Sequence, residues 1–108
     1  MKIGQIILIP FPFAELTNKK VRPAVVITET KDKYKDLVVS AISSVIPSEI
    51  SSREILLNPN NINNLRANSI IKVDRIVTLK REAKIADLDW LSPKELAEFK
   101  NILTEIIK

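Results

Sequence analysis

The most constraining feature of the sequence is the spacing of its apolar residues, which changes only once along the chain. Short runs rich in Val and Ile recur between residues 4 and 79, separated by prolines, asparagines and charged turns. Such runs are typical of β-strands, because branched side chains fit a pleated surface. Only the last residues carry apolar side chains at helical spacing. This order predicts a mainly β domain with helices (α+β), a small barrel or sandwich closed by one amphipathic C-terminal helix.

The apolar runs predict five strands. Their bounds are residues 4–9, 24–28, 37–42, 54–57 and 69–79. The first strand is expected to stop near Ile9, because Pro10 and Pro12 cannot donate to a sheet ladder. Residues 62–66, which follow an asparagine-rich loop, are compatible with one helical turn.

Polar and apolar residues alternate in the fifth predicted strand. Lys72 and Asp74 are two residues apart, so both side chains leave one face while Ile71 and Val73 point the other way. Arg75 falls at an apolar position of this alternation. We therefore expect a bulge or bend at that residue.

The helix at the end of the chain has a clear start signal. Ser92-Pro93-Lys94-Glu95 has the form of a capping box with proline at the first helical position, so the helix is predicted to begin at Pro93. Trp90 is expected to anchor it. The apolar stripe that should face a sheet or a partner consists of Leu96, Phe99, Ile102, Leu103, Ile106 and Ile107.

Length and composition narrow the possible functions. A chain of 108 residues has room for one core, so residues 1–108 are expected to form a single domain. With no Cys and no His, disulfides, thiolate or imidazole metal sites and nucleophile–histidine catalysis are excluded. The formal net charge of +4 suits a polyanionic or acidic partner, or simply solubility. Residues 1–12 are unlike a signal peptide, and we expect a cytoplasmic protein with no membrane association.

Several motifs in the chain resemble those of the MazF/PemK toxin family. The opening Gly-Gln-Ile-Ile-Leu-Ile-Pro-Phe-Pro-Phe at residues 4–13 and the Lys-Val-Arg-Pro-Ala-Val-Val-Ile at 20–27 are the most specific. Residues 39–44 and 70–79 continue the resemblance, which covers essentially the whole chain. The sequence departs from the family pattern at Gln5, Ala41, Ser43 and Lys80, where aspartate, proline, threonine and aspartate are commoner.

This resemblance implies a fold, an activity and partners. The fold would be a barrel related to SH3-like folds. The activity would be sequence-biased, metal-independent cleavage of single-stranded RNA, such as messenger RNA, without a cofactor. The partners would be a second copy of the chain, whose interface forms the RNA groove, and a cognate acidic antitoxin that lies across that groove.

Cleavage of RNA without histidine is chemically reasonable, because the substrate's own 2′-hydroxyl can attack the adjacent phosphate. The largest contribution an enzyme can make is to stabilise charge on the phosphoryl oxygens, for which a planar guanidinium is well suited. Arg22 fits this role, since Pro23 restricts its backbone, and the resemblance adds Ser43 as a hydroxyl donor to the same phosphate. Without the resemblance, both would be ordinary surface residues at strand ends.

Lys72 and Asp74 match positions where some family members carry an arginine as general acid and an aspartate as general base. The resemblance therefore predicts that Lys72 donates a proton and Asp74 accepts one. Because lysine lacks the rigid fork of arginine and aspartate is a weak base at neutral pH, slow catalysis is expected. An ion pair between the two side chains on one face of the sheet is an equally weighted alternative.

Other polar residues near these positions are predicted to contact RNA. They are Glu15, Lys19, Lys20, Ser44 and Arg53. For Glu15 a solvated loop carboxylate is the simpler interpretation.

Two other functions remain open from the sequence. One is a non-catalytic toxin of the same fold that inhibits a protein such as the topoisomerase DNA gyrase. The other is an RNA- or protein-binding barrel without toxicity, for which RNA binding would be strong and salt-dependent and cleavage absent.

Overall fold

The computed structural model describes residues 2–10, 21–58 and 68–108. In chain order they form strands β1 to β6, a short 3-10 helix between β5 and β6, and helix α1 at the end. The bounds are β1 Gln5–Pro10, β2 Val21–Glu29, β3 Leu37–Ser43, β4 Glu54–Leu57, β5 Ser69–Leu79, the 3-10 helix Arg81–Ala83, β6 Ala86–Trp90 and α1 Pro93–Ile106. The five predicted strands are confirmed, and the segments at 11–13 and 62–66 lie outside the described residues.

All six strands belong to one antiparallel sheet with the order β4-β5-β3-β2-β1-β6. The sheet curls into a half-barrel. The expectation of a barrel is thus met in part, because in the described segments β4 and β6 are edge strands that do not pair with each other.

Apolar side chains are buried on both faces of this sheet. The helix face carries Ile6, Val25, Ile42, Ile71 and further buried side chains that pack around Phe99 of α1. The second face carries a separate buried cluster that consists of Ile7, Ile9, Ala24, Val26, Leu37 and Val39. Burial of alternate residues on opposite faces is what the two-residue period of a strand requires.

Helix α1 begins as predicted. The backbone N–H of Glu95 donates to Ser92 Oγ at 3.2 Å, and Glu95 Oε1 accepts from the backbone N–H of Ser92 at 2.8 Å, which completes the capping box. The expected anchor is wrong, since Trp90 is 42% exposed whereas the next residue, Leu91, is buried in the core. Leu91 precedes the N-cap and shares the core with Leu96, the arrangement of a hydrophobic staple.

The predicted apolar stripe is correct except at its last member. Leu96, Ile102, Leu103 and Ile106 pack against the core cluster that contains Phe99. Ile107 lies beyond the end of α1 and is 81% exposed, so its assignment to the stripe is wrong. No helix in the described part of the chain is long and apolar enough to cross a membrane.

The single glycine of the chain ties β1 to α1. Gly4 has φ +90°, a left-handed conformation, and a Cβ built on it would lie 2.8 Å from Leu96 Cδ1. Its N–H donates to the carbonyl of Val26 at 2.9 Å, and its carbonyl accepts from the N–H of Leu91 at 2.8 Å. Both the backbone angle and the close approach of Leu96 therefore require a residue without a side chain.

Candidate functional site

Arg22 lies near the start of β2, in the part of the strand that pairs with β1. It pairs with Ile9 of β1, and its side chain is half-buried. Pro23 pairs with Leu8 in the same ladder, so the predicted restraint on the backbone of Arg22 comes from the sheet as well as from proline.

Ser43 lies at the same end of the sheet as Arg22. The ladder between β2 and β3 ends at Ala24–Ala41, and Arg22 and Ser43 each lie two residues beyond that pair, in the same direction because the strands are antiparallel. Ser43 Oγ accepts a hydrogen bond from the backbone N–H of Val45 at 3.1 Å. A hydroxyl has one proton to donate and two lone pairs, so this contact does not use its proton.

Lys72 lies in the neighbouring row of the sheet, which contains Ala24 and Ala41. It pairs with Ala41 of β3 and, on its other side, with Glu54 of β4. Ala41 pairs in turn with Ala24, so the Cα of Lys72 lies about 10 Å from that of Ala24, two strand spacings away. Directly paired residues share a face, which places Lys72 on the second face, where Ala24 is buried.

The predicted bulge in β5 is confirmed and lies directly after Lys72. Ala41 pairs with Lys72 but the preceding residue of β3, Ser40, pairs with Ile76, so residues 73–75 have no partner on β3. Extra residues of this kind are frequent beside active sites, where they redirect a side chain. Here the redirected residues include Asp74 and Arg75, both exposed.

Two hydrogen bonds from outside β5 hold the bulge in place. Ser40 Oγ donates to the carbonyl oxygen of Val73 at 2.9 Å, and the N–H of Val73 donates to the carbonyl of Arg53 at 3.0 Å. Ser40 and Val73 are both fully buried. These bonds replace the ladder bonds that Val73 loses in the bulge, and they fix the backbone immediately before Asp74.

Asp74 forms an ion pair with Arg53. Arg53 Nη1 lies 3.9 Å from Asp74 Oδ2, and both side chains are about half exposed. Of the residues that the structure describes, Arg53 is therefore the ion-pair partner of Asp74, and the alternative of an ion pair between Lys72 and Asp74 is wrong. At that distance and exposure the pair adds little stability, but it holds a cation beside the carboxylate.

The segment before β4 presents Arg53 through its own hydrogen bonds. Ser51 Oγ accepts from the N–H of Arg53 at 3.2 Å, and Glu54 Oε1 accepts from the N–H of Ser51 at 2.8 Å. On its other side, Arg53 lines a cavity of about 650 Å³ between this segment and α1, with Ser52, Asn101, Ile102, Thr104 and Glu105.

The structure places five of the nine sequence-predicted residues on neighbouring strands, with Arg22 and Ser43 at one end of the sheet, Lys72 two residues from that end, and Asp74 and Arg53 at the bulge in the middle of β5. Ser44 follows Ser43 and is exposed. The other three, Glu15, Lys19 and Lys20, lie outside the described residues.

Sequence reasoning missed Ser40. The sequence did contain a clue to its role, a single serine inside the apolar run of β3. A hydroxyl buried there without a hydrogen-bond partner would lower the stability of the fold. The partner of that hydroxyl could not be found from sequence, because the bond depends on the register of β3 against a bulged strand 33 residues away.

Comparisons with known proteins agree with this architecture. No curated protein sequence matches the chain. The solved structure of the Mycobacterium tuberculosis toxin MazF-mt6 is similar, with a TM-score of 0.73, 13% identity and 95% of each chain covered. A second similar structure, an endoribonuclease in complex with its cognate antitoxin from Mycobacterial species, has a TM-score of 0.71 and 13% identity, with 97% of this chain and 92% of that chain covered.

At 13% identity these two structures establish only the fold of the chain. Its assignment to a family comes from the match to a sequence profile. The profile described as PemK-like, MazF-like toxin of type II toxin-antitoxin system matches residues 2–107, nearly the whole chain. The chain therefore belongs to the MazF/PemK family of type II toxin–antitoxin toxins.

Proposed function

We propose that this toxin is a metal-independent endoribonuclease that cleaves single-stranded RNA, such as messenger RNA, at short sequence motifs. The observation that carries the proposal is the convergence of Arg22, Ser43 and Lys72 in adjacent register, with Asp74 presented by a pinned bulge next to Lys72. The family adds support, because one similar structure is an endoribonuclease.

In this proposal the RNA supplies the nucleophile. The 2′-oxygen attacks phosphorus, its proton passes to the Asp74 carboxylate, and the bond from phosphorus to the 5′-oxygen breaks. Lys72 gives a proton to the departing 5′-oxygen. The products are a 2′,3′-cyclic phosphate and a free 5′-hydroxyl, so protons and electrons balance without a metal or a cofactor.

Arg22 and Ser43 would act on the phosphate itself. The guanidinium offers paired donors to the phosphoryl oxygens, and the unused proton of Ser43 Oγ offers a third. Arg53, held beside Asp74, would contribute a further positive charge toward the RNA backbone.

We also propose that the active form is a homodimer and that a cognate acidic antitoxin neutralises it. The segment after Ser43 exposes Val45, Ile46 and Ile50, at 75%, 39% and 42%. Exposed apolar side chains next to a site are typical of a surface that a partner covers. The net charge of +4 would attract an acidic antitoxin segment across the same region.

The same apolar segment favours one second candidate, a toxin that inhibits a protein target such as DNA gyrase and cleaves nothing. The two functions differ in what happens to RNA.

The deciding experiment is incubation of the purified protein with a long unstructured RNA in excess EDTA, with the cut ends mapped. Arg22→Ala and Asp74→Asn should abolish the discrete cuts. Arg22→Lys should retain a fraction of the cleavage activity, since lysine keeps the positive charge but lacks the paired N–H donors of the guanidinium. Asp87→Asn, on edge strand β6, is the matched control and should cut normally. Intact RNA with a folded protein would reject the ribonuclease and favour the protein-directed inhibitor.

A further inference from the structure

A second cleft, lined by charged side chains and a tyrosine, lies toward the end of the sheet opposite Arg22 and Ser43. Leu37, at the start of β3, pairs with Leu79, at the end of β5, so the turn before β3 and the residues after β5 are adjacent. The cleft between them has a volume of about 510 Å³ and is lined by Lys33, Tyr34, Asp36, Lys80, Arg81 and Glu82. From Leu37 to Ser43, β3 spans roughly 20 Å, which separates this cleft from the candidate site.

The turn that carries Tyr34 is held by its own hydrogen bonds. Asp32 Oδ1 accepts from Thr30 Oγ1 at 2.9 Å and from the backbone N–H of Tyr34 at 3.1 Å and of Lys35 at 3.2 Å. The N–H of Thr30 donates to the carbonyl of Asp36 at 2.8 Å, which closes the turn. The aromatic ring is thus displayed from a fixed backbone, and Tyr34 is 60% exposed.

The lining of this cleft combines an aromatic ring, cations and carboxylates. Lys33 Nζ lies 5.2 Å from the centroid of the Tyr34 ring, and Lys80 and Arg81 approach from the other side of the cleft. An exposed ring beside cations is the arrangement with which proteins bind single-stranded nucleic acid, stacking a base and pairing its phosphates. Asp36 and Glu82 suit the amino groups of bases, which donate hydrogen bonds.

An acidic peptide would fit this lining less well. Its carboxylates would be attracted by Lys33, Lys80 and Arg81 but repelled by Asp36 and Glu82, whereas a nucleotide has both an anionic phosphate and donor groups. The mixed charge therefore favours a nucleotide.

We propose that the cleft around Tyr34 is a secondary binding site for one or more nucleotides of single-stranded RNA, remote from the cleavage site. This inference rests on the proposed function for its substrate class. It predicts that long RNAs are held at two places on the toxin and short RNAs at one.

Binding at the cleft can be tested apart from cleavage, because Tyr34 is the only tyrosine of the chain. The full protein with ¹³C-labelled tyrosine gives one set of ring signals, and the probe is a 2′-O-methyl RNA of about twelve nucleotides, which lacks the nucleophile. We expect the ring signals to shift on titration, in the parent and equally in Arg22→Ala. Polyglutamate of similar length is the comparison and should shift them less.

Cleavage kinetics supply the second test. Tyr34→Ala should raise KM for a long RNA at least about fivefold, the usual loss for one stacked base, and leave kcat and the cleavage of a short RNA unchanged. Lys80→Glu should act in the same direction. Lys100→Glu, an exposed change on α1 with the same effect on net charge, is the matched control and should have a smaller effect.

Three results would overturn the proposal. The first is ring signals that stay fixed while the oligonucleotide binds elsewhere on the protein. The second is a larger shift with polyglutamate, which would assign the cleft to an acidic peptide. The third is an equal rise in KM for Lys80→Glu and Lys100→Glu, which would show that the effect comes from net charge and not from the cleft. Absence of RNA cleavage with a clear Tyr34 shift would instead reject the proposed function and leave the binding site standing.

Discussion

The hydroxyl of Ser40 on β3 donates to the carbonyl oxygen of Val73 on β5, 2.9 Å away, at the point where the register between the two strands shifts. Since Ser40 and Val73 are fully buried, water cannot reach these atoms to replace this hydrogen bond. The bulge that presents Asp74 therefore depends on a hydroxyl that is itself fully buried.

We predict that Ser40→Ala destabilises the protein by about 1–3 kcal/mol, because it leaves a buried carbonyl without its donor. Cleavage of RNA should fall by more than that loss of folded protein explains. Urea unfolding followed by tryptophan fluorescence measures the first effect, and amide hydrogen exchange at residues 73–75 measures the loosened bulge. Ser40→Cys, a variant of similar size with a weaker donor, should be intermediate, and unchanged exchange in Ser40→Ala would contradict the role of the hydroxyl.

The Arg53–Asp74 pair should affect activity more than stability. Because both side chains are about half exposed and 3.9 Å apart, Arg53→Ala should change the free energy of unfolding by less than about 1 kcal/mol. Cleavage should decrease clearly, and Arg53→Lys should recover part of it by restoring the charge. Chemical unfolding and single-turnover cleavage, measured side by side, check this prediction, which fails if the two quantities fall in parallel.

Gly4→Ala should be strongly destabilising for two separable reasons. The added methyl would lie 2.8 Å from Leu96 Cδ1, and φ +90° is strained for any residue with a Cβ, at a cost of about 1–3 kcal/mol. Combining Gly4→Ala with Leu96→Ala removes the clash but not the backbone strain. A double-mutant cycle on unfolding free energies should therefore show partial compensation, and full additivity would rule out the steric contact.

The turn at residues 30–36 should lose stability in acid. The hydrogen bond from Thr30 is the largest cause that holds the pKa of Asp32 below its ordinary value of 3.8; desolvation opposes it and is second in size, and backbone hydrogen bonds from Lys35 and Tyr34 lower the pKa further. A lowered pKa means that this contribution is fully present above 3.8 and is lost as pH falls through the folded-state value.

Asp32→Asn keeps an acceptor oxygen at this position but removes the titration. The difference in unfolding free energy between the parent and Asp32→Asn should be constant near neutral pH and shrink below pH 3.8. Denaturant unfolding across that range measures it, and a difference that stays constant into acid would contradict the assigned pKa direction.

Much of the fold could be predicted from sequence because its signals are local. The strands follow from branched apolar runs, the start of α1 from the capping box, and the bulge in β5 from Arg75 at an apolar position. Strand β6 and the 3-10 helix were missed. The alternation of Asp87 and Asp89 with apolar neighbours was a usable signal for β6, but the strand is short and lies at a sheet edge.

The members of the candidate site could be predicted from the sequence only with the help of the family resemblance. Arg22, Ser43, Lys72 and Asp74 could be named because the family resemblance added to the chemistry of arginine and to the alternation in β5, and the register of β2, β3 and β5 places Lys72 one row from Arg22 and Ser43. The roles of Ser40 and Arg53 beside the bulge could not be predicted, because each depends on which residues of separate strands meet across it.

The position of β1 in the sheet has a consequence for synthesis of the toxin. β1 is made first, yet one of its two edges is covered by β6, residues 86–90, near the opposite end of the sequence. Contacts between such distant residues form slowly, because the entropy cost of closing a long loop must be met before the contacts contribute any stabilising free energy. The sheet therefore cannot be completed until residues 86–90 have been synthesised, and until then one edge of β1 has no strand beside it.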